Sequence, residues 1–387
     1  MVKIKLGIPI DSTFLSSIIY DGILYSIAHS NKLINFNTYE IEFEEEFMKE
    51  LFKELKDYEN IKIRLTGRND GSIKKLNQKI NQKGTFGEII KKLCEDDKSL
   101  ITKKEINLFL KPKGENLLID LEKNRERGIT LQLLKVDRYT GLTSIEAYYT
   151  LKQLTSYFSK EAILISLLGI YSSYIHSLFI PSTSRKVQPF HYFLFFSPSE
   201  TLELFFKNDP EYVRKLFRIK EKAKNILRKV IEYSPINEIL FLELIFNIEL
   251  HKLMENENLD KVSLTIIKLA QERQTYKIYE EIPITIFKTM LFNEKVKEYF
   301  KNYDRFLESL SQFLLNENVH RALRSFHKQQ KMDEAEKILS AIQNLYKFII
   351  LGDLQGYSNF MRELWEAHEI VKDKTDIYAK LIKAFPT

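Results

Sequence analysis

The sequence predicts an α+β protein, with an antiparallel sheet and helices in its N-terminal part and a helical bundle after it. Three observations carry this expectation. Val2, Ile4, Leu6 and Ile8 alternate with Lys3, Lys5 and Gly7, the period-two pattern of a strand with one buried face. Further strand-like runs at residues 106–110, 116–121 and 129–136 follow one another across short connections. From about residue 198 to the end, nearly every segment repeats its apolar residues at helical spacing. With 12 Gly and 9 Pro in 387 residues, long regular elements are favoured over a loop-rich scaffold.

After the first strand the pattern gives a helix around residues 15–29 and an acid-rich helix near residues 42–55. Ile61, Ile63 and Leu65 alternate again and lead into a turn at residues 66–71. Thr85 with Glu88 three residues on is a capping box, starting a short helix that runs to about Cys94. The three later runs form an antiparallel meander, so their connections (Lys111, Lys113; Lys123, Arg125, Arg127) project basic tips from a sheet edge. Thr143 with Glu146, Ser159, Ser197-Pro198 and Ser234-Pro235 mark helix starts. Residues 162–180 are the longest apolar run. Its serines, tyrosines and His176 fit a buried core helix better than a membrane span of about 20 apolar residues. The aromatic stretch at residues 190–196 reads as core packing. Two domains are expected, at residues 1–197 and 198–387.

Composition narrows the functional classes. Apolar residues at 44% and charged residues at 29% describe a globular chain with an ionic surface. The single cysteine, Cys94, excludes an internal disulfide framework and fits a reducing, cytoplasmic interior. The N-terminus reads as a strand rather than a charged segment leading into an apolar one, so no signal peptide and no membrane partner are expected. Net charge is +6, unevenly spread. Residues 1–60 hold 6 basic and 11 acidic side chains, residues 61–138 hold 19 and 11, and residues 185–230 hold 11 and 5. Two basic regions beside an acidic opening segment point to a polyanionic partner.

The sharpest candidate lies between Asp70 and Glu88, where no carboxylate occurs. Lys74, Lys75, Lys79 and Lys83 supply charges that neutralise phosphates. Asn77, Gln78, Asn81 and Gln82 supply amides able to pair with base edges. Ile73, Leu76 and Ile80 share one helical face and dock the element. Arg125, Arg127, Arg185 and Lys186 are further phosphate contacts on loops. Lys215, Arg218 and Lys222 share one face of an amphipathic helix around residues 214–233, with Lys220 beside them. No phosphate loop, zincin motif, nucleophile elbow or paired cysteines occur, and the seven histidines do not fall at metal-ligand spacing. Neither a metal nor another cofactor is expected. Arg321 and His327 are spaced on a helix in a way that resembles the active element of HEPN ribonucleases. That resemblance implies acid–base chemistry by His327 and charge stabilisation by Arg321, although Ala322 stands where that family carries a polar residue.

The acid-poor loop, the basic hairpins, the helical second half and the opening at residues 19–25 together resemble another family. It is the large subunit of the archaeal type I-A CRISPR interference complex (Cascade). The resemblance implies a non-catalytic subunit within a crRNA-containing protein complex, seated beside other CRISPR-associated subunits near the crRNA 5′ end. Such a subunit recognises the protospacer-adjacent motif on double-stranded DNA and aids unwinding, while base pairing reads the remaining sequence. Two other expectations stand beside it: a metal-independent ribonuclease, and an adaptor whose basic faces bind acidic proteins.

Overall fold

The structure is a computed structural model that describes residues 1–81, 83–96, 100–113, 116–122, 128–139, 155–181, 187–233, 237–272, 275–288, 298–326 and 332–385. The fold is α+β, and its contacts divide it into two compact units. The first comprises Met1–Phe179, Gln188–Glu221 and Val262–Ile284; the second comprises Ile180–Val187, Lys222–Lys261 and Thr285–Thr387.

The first unit opens with β1 (Val2–Leu6), whose apolar positions are buried as the alternation requires. It lies between β3 (Glu40–Phe43), antiparallel, and β4 (Glu105–Leu108), parallel, with β2 (Leu33–Phe36) at the edge beyond β3. Two helices of this unit pack on each other, α2 (Phe47–Glu54), whose Phe47 stacks on Phe43 of β3, and α3 (Phe86–Cys94), capped by Thr85 Oγ1 on the Glu88 amide.

At the centre, α1 (Phe14–His29) packs along α4 (Lys160–Ser173). Both helices are buried nearly all round, which is why neither shows an amphipathic stripe. Gly22 and Gly169 allow the crossing. A Cβ on Gly22 would overlap the carbonyl oxygen of Ile165, and one on Gly169 would overlap that of Ile18. The N-terminus of α1 is closed by a residue far away in sequence. Asp137 accepts the amides of Phe14 (2.7 Å) and Leu15 (3.0 Å), and burial holds its carboxyl above the usual range.

Two further sheets lie in this unit, apart from strand ends at residues 180–181, 187, 261 and 285–287. The smaller has the order β5-β6-β7, with β5 (Leu110–Lys113), β6 (Asn116–Ile119) and β7 (Thr155–Phe158). The larger has the order β11-β10-β9-β8, built from β8 (Tyr174–Pro181), β9 (Val187–Phe196), β10 (Lys261–Glu272) and β11 (Thr275–Phe287). Residues 191–196 are buried on both faces, as an inner strand's are. After β9 come α5 (Pro198–Lys207), capped by Ser197 on the Glu200 amide, and α6 (Pro210–Tyr233), whose residues from Lys222 on count with the second unit.

In the second unit, α7 (Asn237–Phe246) and α8 (Ile248–Asn256) precede α9 (Tyr303–Leu314), α10 (Glu317–Phe326), α11 (Met332–Leu351), α12 (Leu354–Val371) and α13 (Ile377–Ala384). Phe306, Phe313, Phe348, Phe360 and Phe385 form an aromatic core. Gly352, at φ 69°, ends α11 by donating to the Phe348 carbonyl and lets α12 fold back onto it.

Several expectations need correction. The antiparallel meander is not formed: β4 pairs with β1, and the run at residues 129–136 holds one isolated bridge, Ile129 to Phe158, before a 3₁₀ segment, Leu133–Tyr139. Its backbone is satisfied by side chains instead of a strand, since the Gln132 amide donates to Asp70 (2.7 Å) and the Thr130 amide to Ser72 (2.9 Å). The connection at residues 123–127 and the helix start at Thr143 lie outside the described residues, as does Ser234-Pro235. Ile61, Ile63 and Leu65 are buried alternately without entering a sheet, joined to residues 84–87 by three backbone hydrogen bonds. The acid-rich stretch begins as β3 and becomes helical only at Phe47. The apolar run at residues 162–180 is helix through Ser173 and strand from Tyr174. Among the described residues no helix is long and apolar enough to cross a membrane. The stretch after residue 198 is not wholly helical. The β10–β11 hairpin interrupts it, with Val262, Leu264 and Ile266 facing one side in strand alternation, and most of it joins the first unit.

Between β8 and β9, Ser177 Oγ lies 2.6 Å from His191 Nδ1 and 2.7 Å from the Tyr174 hydroxyl. His191 is 1% exposed, and burial brings its pKa down to about 4. The unfolded chain, with an ordinary value near 6.5, therefore takes up this proton first as pH falls. Stability conferred by neutral His191 is complete above pH 6.5 and is lost progressively toward pH 4, by about 3 kcal/mol. Chemical denaturation across that window is expected to show a steeper loss in the wild type than in His191→Gln. Equal slopes would remove His191 as the cause.

Candidate nucleic-acid interface

The candidate surface is built on a 3₁₀ segment, Gly67–Lys75, followed by turns that lead to Thr85. A run this rich in Lys, Asn and Gly does not close regular α-helical turns, so its shape is imposed by anchors. Asp70, 1% exposed, accepts the Thr66 amide (2.6 Å) and hydroxyl (2.7 Å) at one oxygen and the Gln132 amide (2.7 Å) at the other. Ser72 donates to the Thr130 carbonyl (3.0 Å) and accepts the Thr130 amide. Ile73, Leu76 and Ile80 are buried, the docking triad expected from the sequence. Tight turns follow, from the Ile80 amide to Asn77 O (3.1 Å) and from the Gly84 amide to Asn81 O (3.2 Å).

These anchors leave Lys74, Gln78, Lys79, Asn81 and Lys83 exposed along one continuous stretch. Lys75 is exposed too, but its ammonium donates to the Gly128 carbonyl (3.0 Å). Asn77 is half-buried and committed at both ends of its amide: Nδ2 donates to Asp96 (3.0 Å) and Oδ1 accepts the Lys79 amide (2.9 Å). Asn81 Oδ1 accepts the Lys83 amide (3.1 Å). Lys92 holds the Lys79 carbonyl from α3. Gln82 lies outside the described residues.

The other candidates lie on other elements or fall outside the described residues. Arg125, Arg127, Arg185 and Lys186 are in the latter group, as is His327. Arg321 is exposed on α10, while its neighbour His320 is buried. Lys111 and Lys113 are exposed on β5, flanking Pro112; a proline and two lysines on an edge strand are also what keeps such an edge from pairing with another chain. On α6, Lys215 is half-buried and Arg218 is exposed, whereas Lys222 forms an ion pair with Glu249. Lys220 departs from expectation, since it does not border a basic face but is buried and paired with Asp21 of α1. No sequence signal distinguishes it from its basic neighbours except its place one residue after Ile219 on the apolar stripe. Burial holds the Cys94 thiol up at about 11, above its ordinary value. No group of metal-ligating side chains occurs among the described residues.

A cleft of about 390 Å³ lies beside the edge strand β2, lined by Leu33, Ile34, Phe36, Asn208, Pro210 and Arg214. Arg214 there is bound to Glu211 at 2.7 Å, and among the described residues no second charged side chain lines it.

Comparison with known proteins gives a full-length relative. No family model matches the chain, and no solved structure matches it. A protein of Archaeoglobus fulgidus, described as an uncharacterized protein, is 40% identical over 386 residues, a match that spans 97% of this chain and 95% of that one. At that identity and coverage, the chain belongs to the same family as the Archaeoglobus fulgidus protein.

Proposed function

We propose that this protein is a non-catalytic subunit that binds double-stranded DNA through the element at residues 74–83. Its setting is a crRNA-containing interference complex of the type I-A kind, where it serves as the large subunit and recognises the protospacer-adjacent motif. The observation that carries the DNA-binding reading is a carboxylate-free stretch anchored from below by Ile73, Leu76 and Ile80, with Lys74, Lys79 and Lys83 exposed above it. Ammonium groups held on a fixed backbone neutralise phosphates without the entropy loss of ordering a flexible loop. The resemblance described above supplies the assembly and the motif.

A gel-shift titration tests it. Wild-type protein and the variant Lys74→Ala/Lys79→Ala/Lys83→Ala are titrated against duplex DNA, single-stranded DNA and RNA at two salt concentrations. These lysines are exposed, so the variant is expected to keep the wild-type melting temperature. It should bind duplex at least about tenfold more weakly, with a salt slope shallower by about 0.9 for each phosphate no longer neutralised. Equal duplex binding by the two proteins, or wild-type binding that ignores salt, would overturn the assignment.

A further inference from the structure

The amides of the 74–83 element are not equivalent, and this difference assigns their roles. A bidentate contact to adenine needs a side-chain donor for N7 and a side-chain acceptor for the N6 amino group, both open at once. Asn77 is half-buried and its amide plane is already fixed within the protein, with one N–H on Asp96 and the carbonyl oxygen accepting the Lys79 amide. Asn81 turns its carbonyl oxygen back onto the Lys83 amide, which fixes its amide plane toward its own backbone. Lysines are donors without an acceptor, so they cannot make the donor-and-acceptor pair that adenine offers. Gln78 differs from all of these. It is exposed at the tip of the turn closed by Ile80 and Asn77, and its amide makes no hydrogen bond among the described residues. Lys74 lies before it and Lys79 directly after it, both exposed.

We infer that Gln78 is the specificity-determining residue of this surface, reading an adenine in the major groove, and that Asn77 is a positioning residue that fixes the turn. The inference rests on the DNA-binding proposal above and narrows it to one side chain and one base. Asn77 acts through its two hydrogen bonds, tying the turn to Asp96 beyond α3 and setting the direction of Gln78.

The test is a selection on purified full-length protein with duplexes carrying a randomised six-base core, sequenced after retention. Wild type should enrich adenine at one core position by at least about fivefold. Gln78→Ala should lose that enrichment while keeping the salt slope and overall duplex affinity within about threefold. Gln78→Glu should shift the preference to cytosine, whose N4 amino group donates to a carboxylate. Asn77→Ala should weaken binding to all sequences and lower the melting temperature, without a change of preferred base. Replacing the enriched adenine by 7-deaza-adenine should abolish the preference in wild type. Salt-sensitive duplex binding with no adenine enrichment, or enrichment that survives Gln78→Ala, overturns the role of Gln78 and leaves the DNA-binding proposal standing. No salt-sensitive duplex binding by wild type overturns both.

Discussion

Gly169→Ala is expected to destabilise the first unit by about 3 kcal/mol or more, lowering its thermal midpoint by roughly 10 °C. The reason is the contact between α1 and α4, which is made by backbone rather than side chains. A methyl group on Gly169 would overlap the Ile18 carbonyl oxygen, and the reciprocal position, Gly22, faces the Ile165 carbonyl in the same way. Neither helix can retreat easily, since both are buried on nearly every face and Asp137 fixes the first turn of α1. The gain in helix propensity from Gly to Ala, about 1 kcal/mol, opposes the effect without matching it. Gly84→Ala provides the contrast. Its new Cβ would meet chiefly the far end of the exposed Glu88 side chain, which can swing away, so a change within about 1 kcal/mol is expected. Thermal melts of both variants followed by circular dichroism decide the matter. A Gly169→Ala midpoint within about 2 °C of wild type would mean that the crossing is looser than the backbone contact implies.

Helix starts were legible because capping is local: Thr85, Ser159 and Ser197 each accept the amide three residues ahead, as their spacing announced. The docking triad of Ile73, Leu76 and Ile80 was legible for the same reason, since three apolar residues among lysines and amides have one place to go. Strand partners were not legible. The run from Ile129 to Val136 alternates well enough to suggest a strand, yet Asp70 and Ser72, about 60 residues earlier, take the backbone groups that a neighbouring strand would use. Asp120 likewise ends β6 in a left-handed turn, φ 55°, and accepts Lys103, Ser159 and the Asn107 amide. Such side-chain-to-backbone contacts at long sequence separation leave no periodic trace. The β10 strand left one, the alternation of Val262, Leu264 and Ile266, which was obscured by the amphipathic helices on either side. For the candidate site, charge and composition located the element. The division of labour among its amides depends on turn geometry, which a one-dimensional pattern does not encode.

Asp21→Ala is expected to have a comparable effect, a loss of about 3–5 kcal/mol, by a different route. Lys220 donates to the Asp21 carboxylate and to Ser172 Oγ (3.2 Å), with its ammonium over the rings of Phe217 and Phe196 at 5.0 and 5.2 Å. Both side chains of the ion pair are almost fully buried. Burial pulls Lys220 below its ordinary value, and the Asp21 charge works in the opposite direction. Removing Asp21 takes away that opposing influence and leaves an ammonium in an aromatic pocket. The linkage sign follows from the depressed pKa. The unfolded chain holds this proton more tightly, so stability of Asp21→Ala should rise as pH approaches the ordinary lysine value of 10.5 and fall as pH drops toward neutrality. Lys220→Met strands the carboxylate instead and should also destabilise, with the opposite pH trend. The double variant Asp21→Leu/Lys220→Met removes both charges and fills the space with apolar atoms. Its stability should return to within about 1 kcal/mol of wild type, because desolvation of a buried pair offsets most of its Coulomb attraction. If instead the two single losses simply add in the double variant, the pair is not coupled, and Lys220 is held by its aromatic neighbours and Ser172 rather than by Asp21.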